Sequence, residues 1–129
     1  MENKEYNWEN KLILVVDNVE ANYYYFMGVF RKTNVRLLWA ENGLKAVEMC
    51  RNNIDIDLVL MDIQMPELDG YEATRQIKEF RKDLPIIAQT AYAMEGVEEK
   101  SIEAGCDVYM SKPIDKEILK KRIDDYFNK

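Results

Sequence analysis

Histidine is missing altogether from this chain of 129 residues, and only two cysteines are present. Without histidine, the chain lacks the commonest general base and cannot itself carry a phosphohistidine. The two cysteines, Cys50 and Cys106, fit no metal-binding spacing, so we expect reduced thiols in a cytoplasmic protein. No apolar run approaches the ~20 residues that a membrane helix needs, so we expect no membrane partner.

Clusters of basic residues are missing too. The formal net charge is −6, and lysine and arginine form no block. Direct binding to nucleic acid needs clustered cations that meet phosphates, so we expect no such binding. The length is typical of one domain. We predict an N-terminal tail over residues 1–10, whose Tyr6 and Trp8 either pack on the domain edge or end a connector, and one domain over residues 11–129.

Apolar and amphipathic stretches alternate along the rest of the chain. The apolar stretches are continuous, which is typical of strands buried on both faces of a parallel sheet. Predicted strands span residues 11–16, 35–39, 58–61, 86–89 and 108–111. Predicted helices span residues 20–32, 44–52 and 95–104, and two more follow the capping residues Asp69 and Asp115.

This (βα)5 order predicts an α/β fold in which helices cover both faces of a five-stranded parallel sheet. Right-handed crossovers favour the doubly wound, flavodoxin-like topology with strand order 2-1-3-4-5. The helix over residues 20–32 is apolar nearly all round, so we expect it to be largely buried. In the last helix, the predicted buried stripe consists of Ile118, Leu119, Ile123 and Tyr126.

Polar residues follow the carboxyl ends of four predicted strands. They are Asp17 and Asn18 after the first strand, Asp62 after the third, Thr90 after the fourth and Lys112 after the fifth. Each alone has an ordinary explanation, such as a helix cap, a strand residue or a turn. The predicted fold, however, brings all of them to one edge, where ligands bind at the switch point between strands 1 and 3.

The chemistry of that edge can be derived from the residue types. Two carboxylates and an amide oxygen suit Mg²⁺, which prefers hard oxygen ligands. A carboxylate can attack phosphorus to give an aspartyl phosphate. A metal ion and a lysine neutralise the charge that develops on the phosphoryl group, and a threonine hydroxyl can donate a hydrogen bond to it. The group that would activate water efficiently is missing, so the pattern favours a long-lived phosphorylated state.

The chain resembles the receiver domains of two-component response regulators over residues 11–127. The resemblance lies in LILVVDN at 12–18, LVLMDIQMPELDG at 58–70, PIIAQTAYA at 85–93 and AGCDVYMSKP at 104–113. It implies a regulatory domain rather than an enzyme. The phosphoryl donor would be a phosphohistidine on a histidine kinase or on a phosphotransfer protein.

The resemblance also implies a role for individual residues. Asp62 would accept the phosphoryl group, and Mg²⁺ would be bound by Asp62, Asp17, Asn18 and the backbone carbonyl of Gln64. Lys112 would pair with the phosphoryl group.

Further roles concern the response to phosphorylation. Thr90 would move toward the phosphoryl group, and Tyr109 would be the aromatic switch residue. The Lys112–Pro113 bond would be cis. Gln64 and Tyr92 would tune the lifetime of the phosphate, unless both are merely exposed loop residues.

Asn18 departs from the family pattern, which usually has a second acid at this position. We therefore expect weaker Mg²⁺ binding, and a degenerate receiver-like module that acts without phosphorylation stays the alternative. A flavodoxin-like cofactor protein is disfavoured because residues 17–20 are acidic and lack glycine. An aspartyl-phosphate hydrolase is disfavoured because Gln64 stands where an acid or base would be needed.

A partner surface is expected on the fourth helix, fifth strand and fifth helix, where family receivers often form homodimers. The fourth helix would offer acids and the fifth helix bases, namely Glu95, Glu98, Glu99 and Glu103 against Lys116, Lys120, Lys121 and Arg122. The alternative is two solvated helix faces, since exposed ion pairs contribute little. The first helix, with Tyr23, Tyr24 and Tyr25, is where kinases and phosphotransfer domains dock in the family.

Overall fold

Strands and helices alternate throughout the computed structural model, which describes residues 6–65, 68–91 and 95–128. The strands are β1 (Leu12–Val16), β2 (Arg36–Ala40), β3 (Leu58–Asp62), β4 (Ile86–Thr90) and β5 (Val108–Ser111). The helices are α1 (Glu20–Val29), α2 (Gly43–Asn52), α3 (Gly70–Phe80), α4 (Val97–Ala104) and α5 (Lys116–Phe127). A short 3-10 helix over Arg31–Thr33 follows α1.

The five strands form one parallel sheet in the order β2-β1-β3-β4-β5, which confirms the predicted topology. Every residue of β1, β3 and β4 is buried, whereas the edge strands β2 and β5 are partly exposed. Burial on both faces explains why the central strands are continuous apolar runs. It also leaves their carboxyl ends as the place where polar side chains emerge.

Two hydrophobic layers lie on opposite faces of the sheet. Side chains alternate along a strand, so Leu14 of β1 packs toward α2 and α3 while Val15 packs toward α1 and α5. The first layer draws on Ala46, Val47, Cys50, Ala73 and Ile77. The second draws on Trp8, Phe26, Phe30, Leu119 and Ile123.

Helix boundaries and burial correct part of the expectation. The helix predicted over 20–32 ends at Val29, and the one predicted over 95–104 begins at Val97. Only Phe26 of α1 is fully buried, because a helix on the outer layer covers the sheet with one stripe. Ile118, placed in the buried stripe of α5, is 51% exposed.

Trp8 is anchored in the α1–α5 layer, so of the two alternatives for this residue the structure shows packing on the domain. Its side chain is 2% exposed, and its indole Nε1 donates to Oδ1 of Asp124 at 2.9 Å. Its ring also meets Phe127 edge-on, with centroids 5.4 Å apart. The domain boundary at residue 10 stays a prediction, but this side chain already belongs to the core.

Gly70 lets the start of α3 approach the end of β3. A methyl group on Gly70 would overlap the main-chain oxygen of Asp62 and lie 2.7 Å from Cα of Ile63. The position of the main chain at the carboxyl end of β3 therefore depends in part on the absence of a side chain at residue 70.

We predict that Gly70→Ala lowers the free energy of unfolding by about 1–3 kcal/mol, because backbone must shift to admit the methyl group. Urea unfolding followed by circular dichroism measures this. Gly28→Ala in α1 is the matched control, since nothing lies within 4 Å of its added Cβ. The control should leave stability equal or raise it by up to ~1 kcal/mol. Equal stability of the two variants would show that the close approach is unimportant.

Candidate functional site

Two carboxylates stand side by side at the carboxyl edge of the sheet. Val16 of β1 is in register with Met61 of β3, so the residues that come next, Asp17 and Asp62, lie at the same level. Asp17 is fully buried and Asp62 is 7% exposed. The parallel register thus brings together the two acids that the sequence pattern singled out.

The carboxylate of Asp17 is fully engaged. Oδ1 accepts from the backbone N–H of Val19 at 2.9 Å, and Nδ2 of Asn22 lies 3.1 Å from Oδ1 and 3.0 Å from Oδ2. The ammonium Nζ of Lys112 lies 3.6 Å from Oδ2. These donors hold a charged side chain in a place that excludes water.

Asn22 is a site residue that the sequence analysis missed. It lies in the first turn of α1, five positions after Asp17, where an asparagine looks like an ordinary polar helix residue. Its only signal is that α1 starts directly beside the switch point.

Asp62 is held differently. Its Oδ1 accepts from the backbone N–H of Gln64 at 3.0 Å, the one hydrogen bond that its side chain makes within the described residues. Burial raises the pKa of Asp62 to about 6, the charge of Asp17 adds to the rise, and the Gln64 N–H and Lys112 oppose it. The ionised form is therefore short of compensating positive charge.

Thr90 and Gln64 link the ends of β4 and β3. The buried Thr90 donates its hydroxyl to Oε1 of Gln64 at 2.8 Å, while the Gln64 side chain itself is exposed. The threonine hydroxyl therefore already has an acceptor on the loop that follows Asp62. An exposed glutamine competes for this hydroxyl with any other acceptor in the cleft.

The remaining predicted residues surround this centre. Asn18 is exposed beside Asp17, and Tyr109 is half-buried against the α2–α3 layer. The Lys112–Pro113 peptide bond is cis, as the resemblance implied. Tyr92 lies outside the described residues.

Both cysteines are buried away from this chemistry. Burial raises the pKa of Cys50 and of Cys106 to about 11, so both are neutral thiols at neutral pH. Their free, buried state agrees with the expectation of reduced thiols.

The donor set fits Mg²⁺. Asp17 and Asp62 supply two carboxylates, and Asn18 supplies an amide oxygen, all of them hard ligands. The described residues contain no group of three acids, cysteines or histidines that could hold a metal ion. A cation here would thus complete its shell with amide or main-chain oxygens and water, as Mg²⁺ commonly does. Burial, and to a lesser degree the charge of Asp17, raises the pKa of Asp62, and a bound cation would favour the ionised form of this carboxyl.

Trp39 contacts the same centre from β2. Its indole Nε1 donates to the main-chain oxygen of Asp17 at 2.8 Å. Its ring stacks on Tyr23 of α1, with centroids 5.7 Å apart and planes at 15°. Asp17 is therefore fixed through its main chain as well as its side chain.

Comparisons with known proteins agree with this geometry. A family model described as the response regulator receiver domain matches residues 13–124. The polar-differentiation response regulator DivK of Brucella anthropi is 38% identical over 106 residues, which cover 81% of this chain and 85% of DivK. Histidine kinase 3 of Arabidopsis thaliana is 31% identical over 138 residues; these cover 90% of this chain but only 13% of the kinase.

Solved structures show the same likeness. The receiver domain of sensor histidine kinase PA1611 of Pseudomonas aeruginosa, crystallised with magnesium in its active-site cleft, is 31% identical with a TM-score of 0.84, covering 93% of this chain and 99% of that one. A chain of the Saccharomyces cerevisiae complex of the histidine phosphotransfer protein Ypd1 with the Ssk1 receiver domain is 28% identical with a TM-score of 0.82, covering 92% and 89%. With this fold and this carboxylate pair, the chain belongs to the response regulator receiver domains of two-component signalling.

Proposed function

We propose that Asp62 accepts a phosphoryl group from a phosphohistidine on a histidine kinase or phosphotransfer protein, and that this event switches a partner-binding surface. One observation carries the choice of residue. Both carboxylate oxygens of Asp17 are engaged, whereas in the described part of the chain Oδ2 of Asp62 accepts no hydrogen bond. A nucleophile needs an available lone pair, and Asp62 is the acid that has one.

The proposed step is a displacement at phosphorus. A carboxylate oxygen of Asp62 forms the new O–P bond, the P–N bond to the donor imidazole breaks, and the imidazole keeps the electron pair and takes up a proton. Bound Mg²⁺ would neutralise charge on the phosphoryl oxygens. Asp17 and Asp62 would hold it with Asn18 and the backbone carbonyl of Gln64, and Lys112 would pair with a phosphoryl oxygen.

The switch would begin at Thr90. Its hydroxyl donates to Gln64 in the structure, so a phosphoryl oxygen must replace that acceptor before Thr90 can move toward it. We expect the rearrangement to change the packing of Tyr109, which lies against the core on the adjacent strand. Gln64 would then influence the lifetime of the phosphate partly through its hydrogen bond with the hydroxyl of Thr90. The role of Tyr92 stays a prediction.

The exposed face of α1 is the proposed docking surface for the phosphoryl donor. Val19, which precedes the helix, and Tyr24, Tyr25 and Met27 within it are between 44% and 57% exposed, and the helix begins beside Asp17. Exposed apolar side chains in this number are suited to contact with a partner protein. The complex of Ypd1 with the Ssk1 receiver supports a phosphotransfer protein as one class of donor.

Other properties of the domain stay proposals. We propose a regulatory domain in the cytoplasm that is not an enzyme toward external substrates and does not bind nucleic acid. Within the described residues, no helix has the length and apolar character to span a bilayer. Self-association through α4, β5 and α5 would pair the acids of α4 with the bases of α5, of which Lys120 and Lys121 already have acidic partners on their own helix.

The second candidate is a receiver-like module that binds partners without phosphorylation. Asn18 favours it because an amide replaces an acid beside the cleft. Lys112 and Asn22 favour it too, since they already satisfy Asp17 without a metal ion. Beryllofluoride with Mg²⁺ separates the candidates, because only a phosphorylation-competent site forms the adduct.

We predict that Asp62→Asn abolishes labelling by a radioactive phosphoryl donor such as acetyl phosphate, because the amide is a poor nucleophile. Asp83→Asn, an exposed position in the turn after α3, is the matched control and should label like the parent. Labelling is quantified after gel electrophoresis. Undiminished labelling of the Asp62 variant would contradict the assignment.

We predict that the free energy of unfolding depends on pH through the ionisation of Asp62. The pKa of Asp62 is about 6 in the folded protein against 3.8 for an ordinary aspartate, so ionisation lowers the free energy of unfolding as pH rises between these values. Without metal, Asp62→Asn should match the parent below pH 4 and exceed it above pH 6 by about 1–3 kcal/mol.

Urea unfolding across this pH range, in chelator, measures the difference. Asp83→Asn should show no such pH-dependent gain. Added Mg²⁺ should stabilise the parent more than the Asp62 variant. A stability difference that does not change with pH would contradict the raised pKa.

We predict that Asn18→Asp tightens Mg²⁺ binding by about tenfold, since a full charge beside a divalent cation contributes at least ~1.4 kcal/mol. Calorimetric titration with MgCl₂ measures the affinity. Asn52→Asp, at the exposed end of α2, controls for the change in net charge. Equal affinities in the parent and the Asn18 variant would refute the idea that residue 18 is a ligand.

A further inference from the structure

A cavity of about 280 Å³ lies between α1 and the connection from β5 to α5. Its walls are mainly apolar and include the rings of Tyr25 and Phe26 and the side chains of Pro113 and Ile114. A single water occupies roughly 30 Å³ in the liquid, so the space is large enough for a small organic molecule.

Gln89 is the unusual member of the lining. It is 1% exposed, yet in the described part of the chain neither its Oε1 nor its Nε2 has a hydrogen-bond partner. Nearly all buried polar side chains are paired, because an unpaired buried amide costs stability. Both polar atoms of this carboxamide are covered even from water, so it is an unsatisfied donor and acceptor just beneath the cavity wall, and a ligand pairs with it only after the side chain turns outward.

The strand geometry explains which way this amide faces. Side chains alternate along β4, so Gln89 shares a face with Ile87, which packs in the α1–α5 layer with Phe26. Thr90, the next residue, faces the opposite layer and the phosphoryl site. An apolar residue would suit the face of Ile87 better than glutamine does.

We propose that this cavity binds a small neutral molecule with a planar ring and an amide or lactam edge. A carboxamide presents a donor beside an acceptor, and its complement is another amide edge. The aromatic and apolar walls suit a planar ring. An anionic ligand is disfavoured because Lys112, the one ionisable cation on the wall, is already paired with Asp17, and a cationic ligand would lie beside that ammonium group.

The site is separate from the proposed phosphorylation chemistry. Lys112 and Asn22 line the cavity and also contact Asp17, so the two sites share a wall. Binding to Gln89 nevertheless needs neither Mg²⁺ nor a phosphoryl group. Ligand binding at this cavity can therefore be measured whether or not Asp62 is phosphorylated.

The test titrates benzamide and acetophenone into the full, metal-free chain labelled with ¹⁵N. The two ligands have the same ring and carbonyl, but only benzamide has the amide donor. Benzamide should shift the side-chain NH₂ resonances of Gln89 and bind roughly fivefold to tenfold more tightly than acetophenone, as one added buried hydrogen bond supports.

Variants complete the test. Gln89→Leu should bind the two ligands within about twofold of each other, whereas Gln76→Leu, a matched substitution on α3, should keep the preference for benzamide. If Gln89→Leu does not fold, the comparison of ligands at the Gln89 resonances of the parent decides alone. Equal affinities of the parent protein for benzamide and acetophenone would overturn the proposal. So would Gln89 side-chain resonances that shift with neither ligand.

Discussion

The confinement of two carboxylates at the ends of adjacent buried strands is the constraint on which this molecule depends. Asp17 and Asp62 share an environment that strengthens every charge interaction. The fold compensates one of them completely, through Asn22, Lys112 and a backbone N–H. It leaves the other under-compensated, which is why burial holds the pKa of Asp62 at about 6. The difference between the acids comes from their neighbours, because their residue type and register are the same.

This asymmetry depends on features that lie outside the pair. The close approach at Gly70 sets the main chain behind Asp62, and Gln64 presents an N–H to one carboxylate oxygen while its side chain holds the hydroxyl of Thr90. Exchanging one hydrogen bond of that kind involves about 1 kcal/mol. A phosphoryl oxygen carries negative charge and a glutamine amide carries none, so we expect it to outcompete Gln64 for the hydroxyl of Thr90.

Much of this arrangement could be predicted from the sequence, and the remainder has definite physical reasons. Continuous apolar runs identify central strands, and a parallel sheet brings their carboxyl ends together, so the edge with Asp17 and Asp62 follows from patterning alone. The hydrogen-bond partners of these acids could not be predicted, since nothing in the spacing of the sequence indicates that Asn22 contacts Asp17. Burial on outer helices is equally hidden: Ile118 and Tyr24 are exposed although their helices are apolar there. Trp8 precedes the first strand, and its contacts with α5 could not be predicted because the two segments are far apart in the sequence.

The two tryptophans of the chain stand at opposite ends of the sheet, and this separation gives the protein an internal optical probe. Trp8 lies before β1 and Trp39 lies at the end of β2, about the length of one strand away. The indole of Trp39 is bonded to the main chain of Asp17 and stacked on a ring of α1. We therefore expect its fluorescence to respond to charge that enters the cleft, whereas Trp8 lies too far away to respond directly. Occupancy of the acidic centre should then be measurable in the unlabelled protein in real time.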